Sequence, residues 1–258
     1  MKMLMKKMIG IVFLFGCAGL AMAQVNSQKI TVGTLYLSPP FVYNAFTGFD
    51  INLMQALCVK EHLQCQFVNG TFETLMAELR LSNSKINVAI SAISMTHQRS
   101  QDYLFVGPYY QSSMSFLAKE KKNSRLSLAQ LKQKSVGVMS GTIFYDYVQS
   151  LLAGEGHIKT YDTEEDMLAA LSDGKVDVIS LDTPVAEYWQ NKSNCQLRVI
   201  SAPIKIPGDY GYGIVLHKAD LRLQAQLTEG LALLKADGTY AKLVDTYFGK
   251  QRLTCAAR

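Results

Sequence analysis

Residues 86–90 have the sequence INVAI, an almost wholly apolar run with the length of one strand. A run of this kind suits a strand covered on both faces of its sheet. Upstream, KITVGTL at residues 29–35 alternates like a strand, and Asp50–His62 repeats its apolar residues at the 3.6-residue spacing of a helix. A strand at Gln64–Val68 and a helix at Phe72–Leu81 complete this first unit.

The same alternation starts again at SVGVM, residues 135–139. The predicted elements that follow are a helix from about Ile143 to Leu152, a strand at Ile158–Tyr161, a helix at Thr163–Ser172, a strand at Val176–Ser180, a helix at Thr183–Gln190, a strand at Tyr212–Leu216, and helices at Ala219–Ala236 and Thr239–Phe248. Strands that alternate with helices predict an α/β fold with parallel sheets.

Two α/β units of similar size predict two lobes, one from residues 24–112 together with 207–258 and the other from residues 113–206. The connections near Ser112–Ala118 and Ala202–Gly211 are predicted to be extended. Two extended segments that cross between lobes form a hinge, the geometry of closure around a ligand.

The first 23 residues have the order of a secretory signal peptide. Three lysines lie among the first seven residues, a nearly continuous apolar run covers residues 9–20, and AMA at residues 21–23 has the small-x-small cleavage pattern. The alternative is a lipoprotein signal ending at Cys17, but Phe15 is bulky where a small residue is normally required. We therefore expect cleavage after Ala23 and a periplasmic protein.

The charge of the chain excludes several classes of partner. The 258 residues carry a net charge of +5, of which the three lysines of the signal account for more than half. The remaining residues contain no block of Lys and Arg and no Cys/His finger, so we expect no nucleic-acid partner. The histidines are scattered and no CxxC occurs, so we expect no metal and no cofactor.

Four cysteines remain after removal of the signal: Cys58, Cys65, Cys195 and Cys255. An even number in an oxidising compartment predicts two disulfides. Of the three possible pairings, the spacing favours Cys58–Cys65 together with Cys195–Cys255.

Eight segments resemble, in order along the chain, the polar-amino-acid family of periplasmic solute-binding proteins. They are VGT and PPF within Val32–Phe41, GFDINLMQAL (Gly48–Leu57), FETLMAEL (Phe72–Leu79), SAISMTHQR (Ser91–Arg99), FVGPYY (Phe105–Tyr110), LKQKSVGVMSGT (Leu131–Thr142), GKVDVISLD (Gly174–Asp182) and LKADGTYAKLVDTYFG (Leu234–Gly249). The Cys58–Cys65 spacing is also similar to the disulfide of the histidine, lysine/arginine/ornithine and arginine binders.

The resemblance implies a two-lobed type II periplasmic binding protein fold, each lobe a sheet flanked by helices, with a free L-amino acid bound in the cleft between the lobes. It also implies that the protein is a monomer without catalytic activity, and that its partners are the membrane permease and ATPase of an ABC importer.

A free amino acid carries a carboxylate and an ammonium group, and a pocket that strips their water must pair both charges. Arg99 is the natural partner of the carboxylate because its planar guanidinium forms two parallel hydrogen bonds. In the resemblance, Arg99 occupies the position that binds the α-carboxylate, and Asp182 the position on the second lobe that binds the ammonium group. Without the resemblance, Arg99 is an ordinary surface arginine and Asp182 a helix N-cap.

The other candidate residues would contact the ligand backbone or its side chain. Ser91 and Ser94 offer hydroxyl and backbone groups, whereas Ala92 offers its backbone alone. Thr142 opens a predicted helix, whose free N–H groups suit a carboxylate. In the resemblance, Phe72 packs against the ligand side chain. The structural alternatives are strand-end capping for the serines, an N-cap for Thr142 and a core position for Phe72.

Two departures from the family leave the identity of the ligand open. Ser38 stands where the family usually has an aromatic residue, and Leu35 stands where binders of cationic ligands often have an acid. Tyr36 and Tyr43 are candidates to replace the missing aromatic residue as a wall of the ligand pocket. The overall pattern favours arginine, lysine or histidine, whereas Leu35 favours glutamine or another uncharged amino acid; we place the basic amino acids first.

Two other functions fit the same fold. One is a periplasmic cyclohexadienyl or arogenate dehydratase, which needs a general acid in the cleft, and no motif places a further carboxylate there. The other is a binding protein that presents its ligand to a sensor.

Overall fold

The computed structural model describes residues 27–111, 113–119 and 126–249, apart from the side chain of Leu128. The predicted signal segment 1–23 with Cys17, the hinge residue Ser112 and the predicted bridge partner Cys255 lie outside the described residues. Within the described part, the chain forms two β-sheets, each flanked by helices. This is the predicted α/β class with two lobes.

The first sheet has six strands and is mixed. They are β1 (Lys29–Leu35), β2 (Gln64–Gly70), β3 (Val88–Ala89), β4 (Ser94–Thr96), β5 (Tyr103–Tyr110) and β11 (Asp209–His217). The order is β2-β1-β3-β11-β4, and β5 also pairs with β11. Strand β1 is parallel to β2 and β3, whereas β11 is antiparallel to β3, β4 and β5.

The second sheet has five strands in the order β10-β6-β9-β7-β8. They are β6 (Met114–Ala118), β7 (Ser135–Met139), β8 (His157–Tyr161), β9 (Val178–Asp182) and β10 (Arg198–Val199). Strand β7 is parallel to β8 and β9, and β6 is antiparallel to β9 and β10. The predicted parallel pairing is therefore present in both sheets, but both sheets are mixed, because the strands next to both crossings between the sheets run antiparallel to their neighbours.

Nine helices pack against the sheets in the described residues. They are α1 (Phe49–Lys60), α2 (Phe72–Glu78), α3 (His97–Asp102), α4 (Leu128–Leu131), α5 (Ile143–Leu152), α6 (Glu164–Ser172), α7 (Thr183–Lys192), α8 (Leu221–Ala236) and α9 (Thr239–Phe248). None of these is long and apolar enough to cross a membrane.

The chain passes between the two sheets twice, once after β5 and once after β10. At the first crossing, the backbone of Met114 pairs with that of Ile204, which lies on the returning segment. The two connections are therefore hydrogen-bonded side by side. The architecture agrees with a two-strand hinge between two lobes.

The disulfide between Cys58 and Cys65 is confirmed. It joins the end of α1 to the beginning of β2, and Cys58 is buried. Cys195 is also disulfide-bonded. Its predicted pairing with Cys255 stays a prediction, since Cys255 is not among the described residues.

Candidate ligand-binding site

One cavity is lined by residues from both sheets and their helices. From the first sheet and its helices it is lined by Leu35, Ser38, Phe72, Ser91, Ala92, Ser94 and Arg99, and from the second by Met139, Thr142, Ile143, Phe144, Glu164, Met167, Ser180, Leu181 and Asp182. Eight of the ten candidate residues are therefore brought together, although up to 144 positions separate them in the sequence. The only ionisable residues in this lining are Arg99, Glu164 and Asp182.

The guanidinium of Arg99 is fixed by contacts on both sides of the cavity. Arg99 lies on α3, where its Nη1 donates to the carbonyl oxygen of Ser94 at 2.9 Å. Its Nη2 donates to the carbonyl oxygen of Gly141, on the opposite side, at 3.3 Å. The guanidinium also lies over the ring of Phe72, 4.9 Å from the centroid. These contacts orient the planar group while leaving it N–H donors for a carboxylate.

Burial lowers the pKa of Arg99 to about 10, while the negative charge of Asp209 opposes the shift. Arg99 therefore remains positively charged at neutral pH. A buried cation that lines a cavity favours an anionic group in that cavity.

Asp182 is the last residue of β9 and the N-cap residue of α7, but its side chain makes no capping hydrogen bond. Instead, its Oδ1 accepts a hydrogen bond from the hydroxyl of Tyr212, which lies on β11 in the other sheet. Burial raises the pKa of Asp182 to about 7, and the hydrogen bond from Tyr212 opposes this shift. A bound ammonium group would favour the ionised carboxylate.

The segment from the end of β3 to the start of β4 carries three of the candidate residues, Ser91, Ala92 and Ser94. The hydroxyl of Ser91 accepts a hydrogen bond from the backbone N–H of Leu35 at 2.8 Å, and that of Ser94 donates to Asp209 at 3.0 Å. Ala92 has a positive φ of 47°, and its N–H donates to Oδ2 of Asp50 at 2.8 Å. The amide of Ala92 is therefore already used inside the protein.

The N-terminus of α5 forms part of the opposite wall. Thr142 is its N-cap residue, and the Thr142 hydroxyl donates to the carbonyl oxygen of Met139 at 2.8 Å instead of capping the helix. Thr142, Ile143 and Phe144 all line the cavity. The first N–H groups of a helix have no partner within the helix and suit an anion.

The structure places Tyr36 and Tyr43 outside this cavity. Strand β1 ends at Leu35, whose side chain lines the cavity, so the next side chain points away and Tyr36 is 52% exposed. Tyr43 packs against the rings of Tyr188 and Tyr247. The wall is made instead by Phe72, Met139 and Phe144, which are all buried.

Sequence reasoning missed Glu164, a further carboxylate in the cleft that no motif places there. Glu164 is the first residue of α6 and is only 3% exposed. Its Oε1 accepts a hydrogen bond from the hydroxyl of Ser38 at 2.5 Å, across the cavity. Burial raises its pKa well above the usual range, with a further contribution from the charge of Asp182.

A signal for Glu164 was present in the sequence. Strands β7, β8 and β9 are parallel, so the residues that open α5, α6 and α7 share one edge of the sheet. The carboxyl ends of parallel strands are where ligands bind in open α/β sheets. Thr142 follows β7 and Asp182 ends β9, and Glu164, after the turn that follows β8, completes the set.

A second buried acid, Asp50, lies beneath the cavity. Its Oδ2 also accepts a hydrogen bond from the hydroxyl of Tyr109 at 2.9 Å, and burial raises the pKa of Asp50 to about 8. By holding the N–H of Ala92, Asp50 fixes the loop that carries Ser91 and Ser94. The part of the chain that the structure describes contains no cluster of three or more side chains suited to a metal ion.

Comparisons with known proteins agree with this geometry. Residues 30–250 match the family model of the bacterial extracellular solute-binding proteins, family 3. The ABC transporter arginine-binding protein 1 of Escherichia coli (strain K12) is 34% identical over 230 residues, which cover 86% of this chain and 91% of the relative. An ancestral arginine-binding protein solved with arginine superimposes with a TM-score of 0.78 at 27% identity, covering 86% of this chain and 98% of that one. The ancestral protein solved with glutamine gives a TM-score of 0.78 at 28% identity, with the same coverage.

Proposed function

The chain belongs to family 3 of the bacterial extracellular solute-binding proteins, and on this premise we propose that it captures a free L-amino acid between its lobes. We propose further that it is the periplasmic substrate-binding component of an ABC importer. The ligand class that we favour is the basic amino acids, with arginine first.

One observation carries the proposal: a buried cation and a buried acid from different sheets line the same cavity. Arg99 is contributed by α3, beside the first sheet, and Asp182 by β9 of the second. An α-amino acid carries the complementary pair of charges on a single carbon. The carboxylate would bind Arg99 and the N-terminus of α5, and the ammonium group would bind Asp182.

The separation of these charges also gives a reason for closure. A ligand that contacts both lobes binds the closed state better than the open state, and this difference shifts the population towards closure. In the proposed complex the ligand bridges the two walls, as Arg99 already does through the carbonyl of Gly141. The closed protein would then be recognised by the membrane permease, whose ATPase drives import.

The printed names of the relatives support the ligand class. One relative is an arginine-binding protein of an ABC transporter, and the ancestral protein has been solved with arginine and with glutamine. Glutamine is therefore the alternative that must be tested beside arginine. For this chain we propose a monomeric, periplasmic protein that is exported by a signal peptide at residues 1–23.

The presence of Glu164 in the cleft is the observation that favours testing a dehydratase. A protonated carboxylic acid near a ligand is a possible proton donor. We nevertheless propose that the protein is not an enzyme, since the family that it belongs to is one of solute-binding proteins. Phenylpyruvate formation from arogenate or prephenate by the purified protein would contradict this proposal.

The proposed function is tested by thermal unfolding in the presence of each of the twenty amino acids. A ligand present at about 1,000 times its Kd adds about 4 kcal/mol to the free energy of unfolding. We expect the largest increase in Tm with arginine. An unchanged Tm with all twenty amino acids would contradict the proposal.

A further inference from the structure

Glu164 is a buried acid that the proposed clamp on the zwitterion does not use. Its Oε1 accepts the hydrogen bond from Ser38, and its Oε2 is buried without a hydrogen-bond partner among the described residues. Glu164 also lines the cavity directly. A buried carboxylate oxygen without a partner is costly, so an oxygen of this kind beside a cavity points to a donor that arrives with a ligand.

The charge balance of the cavity indicates which group of the ligand would donate to Glu164. Its ionisable lining consists of Arg99, Asp182 and Glu164. The carboxylate and ammonium group of an amino acid neutralise Arg99 and Asp182, which leaves one acid in excess. With a neutral ligand side chain, no charge in the cavity favours the ionised form of Glu164, whereas a cationic side chain would pair with that form and complete the balance.

The charged groups that act on Glu164 differ from those that act on Arg99. The acids whose negative charges act on Arg99 are Asp209 and Asp146. The charges that act on Glu164 come from Asp182 and from its neighbour Glu165, and both disfavour its ionised form. Burial and these neighbouring charges raise the pKa of Glu164 and so favour its protonated form, whereas a cation placed against it would favour loss of the proton.

We propose that Glu164 is the residue that accepts the cationic side chain of the bound amino acid and thereby selects arginine or lysine over neutral amino acids. This inference rests on the proposed function, because it assumes that an amino acid occupies the cavity. Ser38 is the positioning residue, since its hydroxyl holds one oxygen of Glu164 across the cleft and leaves the other for the ligand.

The test compares arginine with citrulline, which has nearly the same shape but an uncharged side chain. Isothermal titration calorimetry gives the Kd of both ligands for the wild-type protein, for Glu164→Gln and for the control Glu165→Gln. Glu165 is the next residue of the same helix and is exposed. A hydrogen-bonded charge pair predicts that the wild type prefers arginine by about 10- to 100-fold, and that Glu164→Gln loses most of this preference. Glu165→Gln should keep it.

A second measurement uses only the wild-type protein, so it does not depend on folding of the variant. Calorimetry in two buffers of different ionisation enthalpy counts the protons released on binding. Both ligands ionise Asp182 through their ammonium groups, so the difference between them reports the excess acid. We expect arginine to release more protons than citrulline, by up to one per protein molecule.

Each outcome separates this inference from the proposed function. Equal affinity of the wild type for arginine and citrulline, or an unchanged preference in a folded Glu164→Gln variant, would overturn the role of Glu164 and leave amino-acid binding intact. The same holds for equal proton release with the two ligands. Failure of the wild type to bind any amino acid would overturn both proposals.

Discussion

The hydroxyl of Tyr212 donates a hydrogen bond to Oδ1 of Asp182. A residue of the first sheet therefore positions the buried carboxylate of the second sheet. The bond crosses the cleft close to the hinge, since Tyr212 lies near the beginning of β11. It stabilises the ionised form of Asp182 against the effect of burial, and the net result is a pKa of about 7. In the proposed complex, the affinity for the ammonium group therefore depends on pH and on this hydroxyl.

The variant Tyr212→Phe should weaken arginine binding near neutral pH. Without the hydrogen bond, the pKa of Asp182 rises further, so less of the acid is ionised at pH 7. If the pKa rises by one unit, the affinity at pH 7 falls about fivefold and recovers towards pH 8.5. The Kd measured between pH 6 and 8.5 checks this, with a shift of the whole profile to higher pH.

The matched control for this variant is Tyr110→Phe. The ring of Tyr110 is stacked on that of Tyr212, with 6.2 Å between the centroids and 9° between the planes. Removal of its hydroxyl should leave the profile at the wild-type pH. If Tyr212→Phe also keeps the wild-type profile, Asp182 does not control the pH dependence of binding.

The buried acids predict that the protein without ligand is more stable at pH 5 than at pH 8. Burial raises the pKa values of Asp50 and Asp182 to about 8 and 7, while an unfolded Asp titrates near 4. Between these values the folded state binds more protons than the unfolded state, so stability falls as pH rises. Integrated from pH 5 to 8, these two shifts amount to about 6 kcal/mol. We therefore expect Tm to drop by more than about 10 °C, since a change of one kcal/mol shifts Tm by about 2–4 °C in a chain of this size.

The variant Asp50→Asn distinguishes the contribution of Asp50 to the pH dependence of Tm from that of Asp182. The amide keeps an acceptor oxygen for the N–H of Ala92 but cannot ionise. The decrease in Tm from pH 5 to pH 8 should become clearly smaller in the variant. A decrease as large as that of the wild type would show that Asp50 does not carry the effect.

The disulfide predicts a change in stability without a change in binding. Cys58 and Cys65 are seven positions apart, and closing a loop of this size contributes about 2–3 kcal/mol in the chain-entropy model. The double variant Cys58→Ser, Cys65→Ser should lower the free energy of unfolding by this amount in a urea titration. Neither residue lines the cavity, so the Kd for arginine should stay within about twofold of the wild type. A large loss of affinity in the folded variant would contradict this separation.

The sequence predicts those elements whose periodicity agrees with their local environment. The bounds of β1, β7, α5 and α9 match the predicted ones. By contrast, β5 was not predicted, because its Gly107-Pro108 pair is typical of a turn. The predicted strand at Ile86–Ile90 contracts to the two residues of β3, since Asn87 bonds to the backbone of Thr31 through its side chain as well as its main chain.

The residues of the candidate site are likewise predictable only where the local sequence carries a signal. Arg99, Thr142 and Asp182 lie in motifs that local sequence reveals, and the structure brings them to one cavity. Glu164 has no such local motif, because its importance depends on which helices share an edge of the second sheet. Asp50 becomes relevant only through its contact with Ala92, which is 42 positions away in the sequence. Tertiary contacts of this kind cannot be deduced from periodicity.

The central claim is that opposite charges from the two lobes clamp one amino acid, and a calorimetric cycle tests it most directly. Arginine, agmatine (which lacks the carboxylate) and 5-guanidinopentanoate (which lacks the ammonium group) are titrated into the wild type, Arg99→Ala and Asp182→Asn. Loss of either ligand group should weaken binding to the wild type by about 100-fold or more, because a buried charge is left unpaired. In the matched variant, Arg99→Ala for agmatine and Asp182→Asn for 5-guanidinopentanoate, the same loss should cost less than about tenfold. Fully additive losses in both cycles would contradict the clamp.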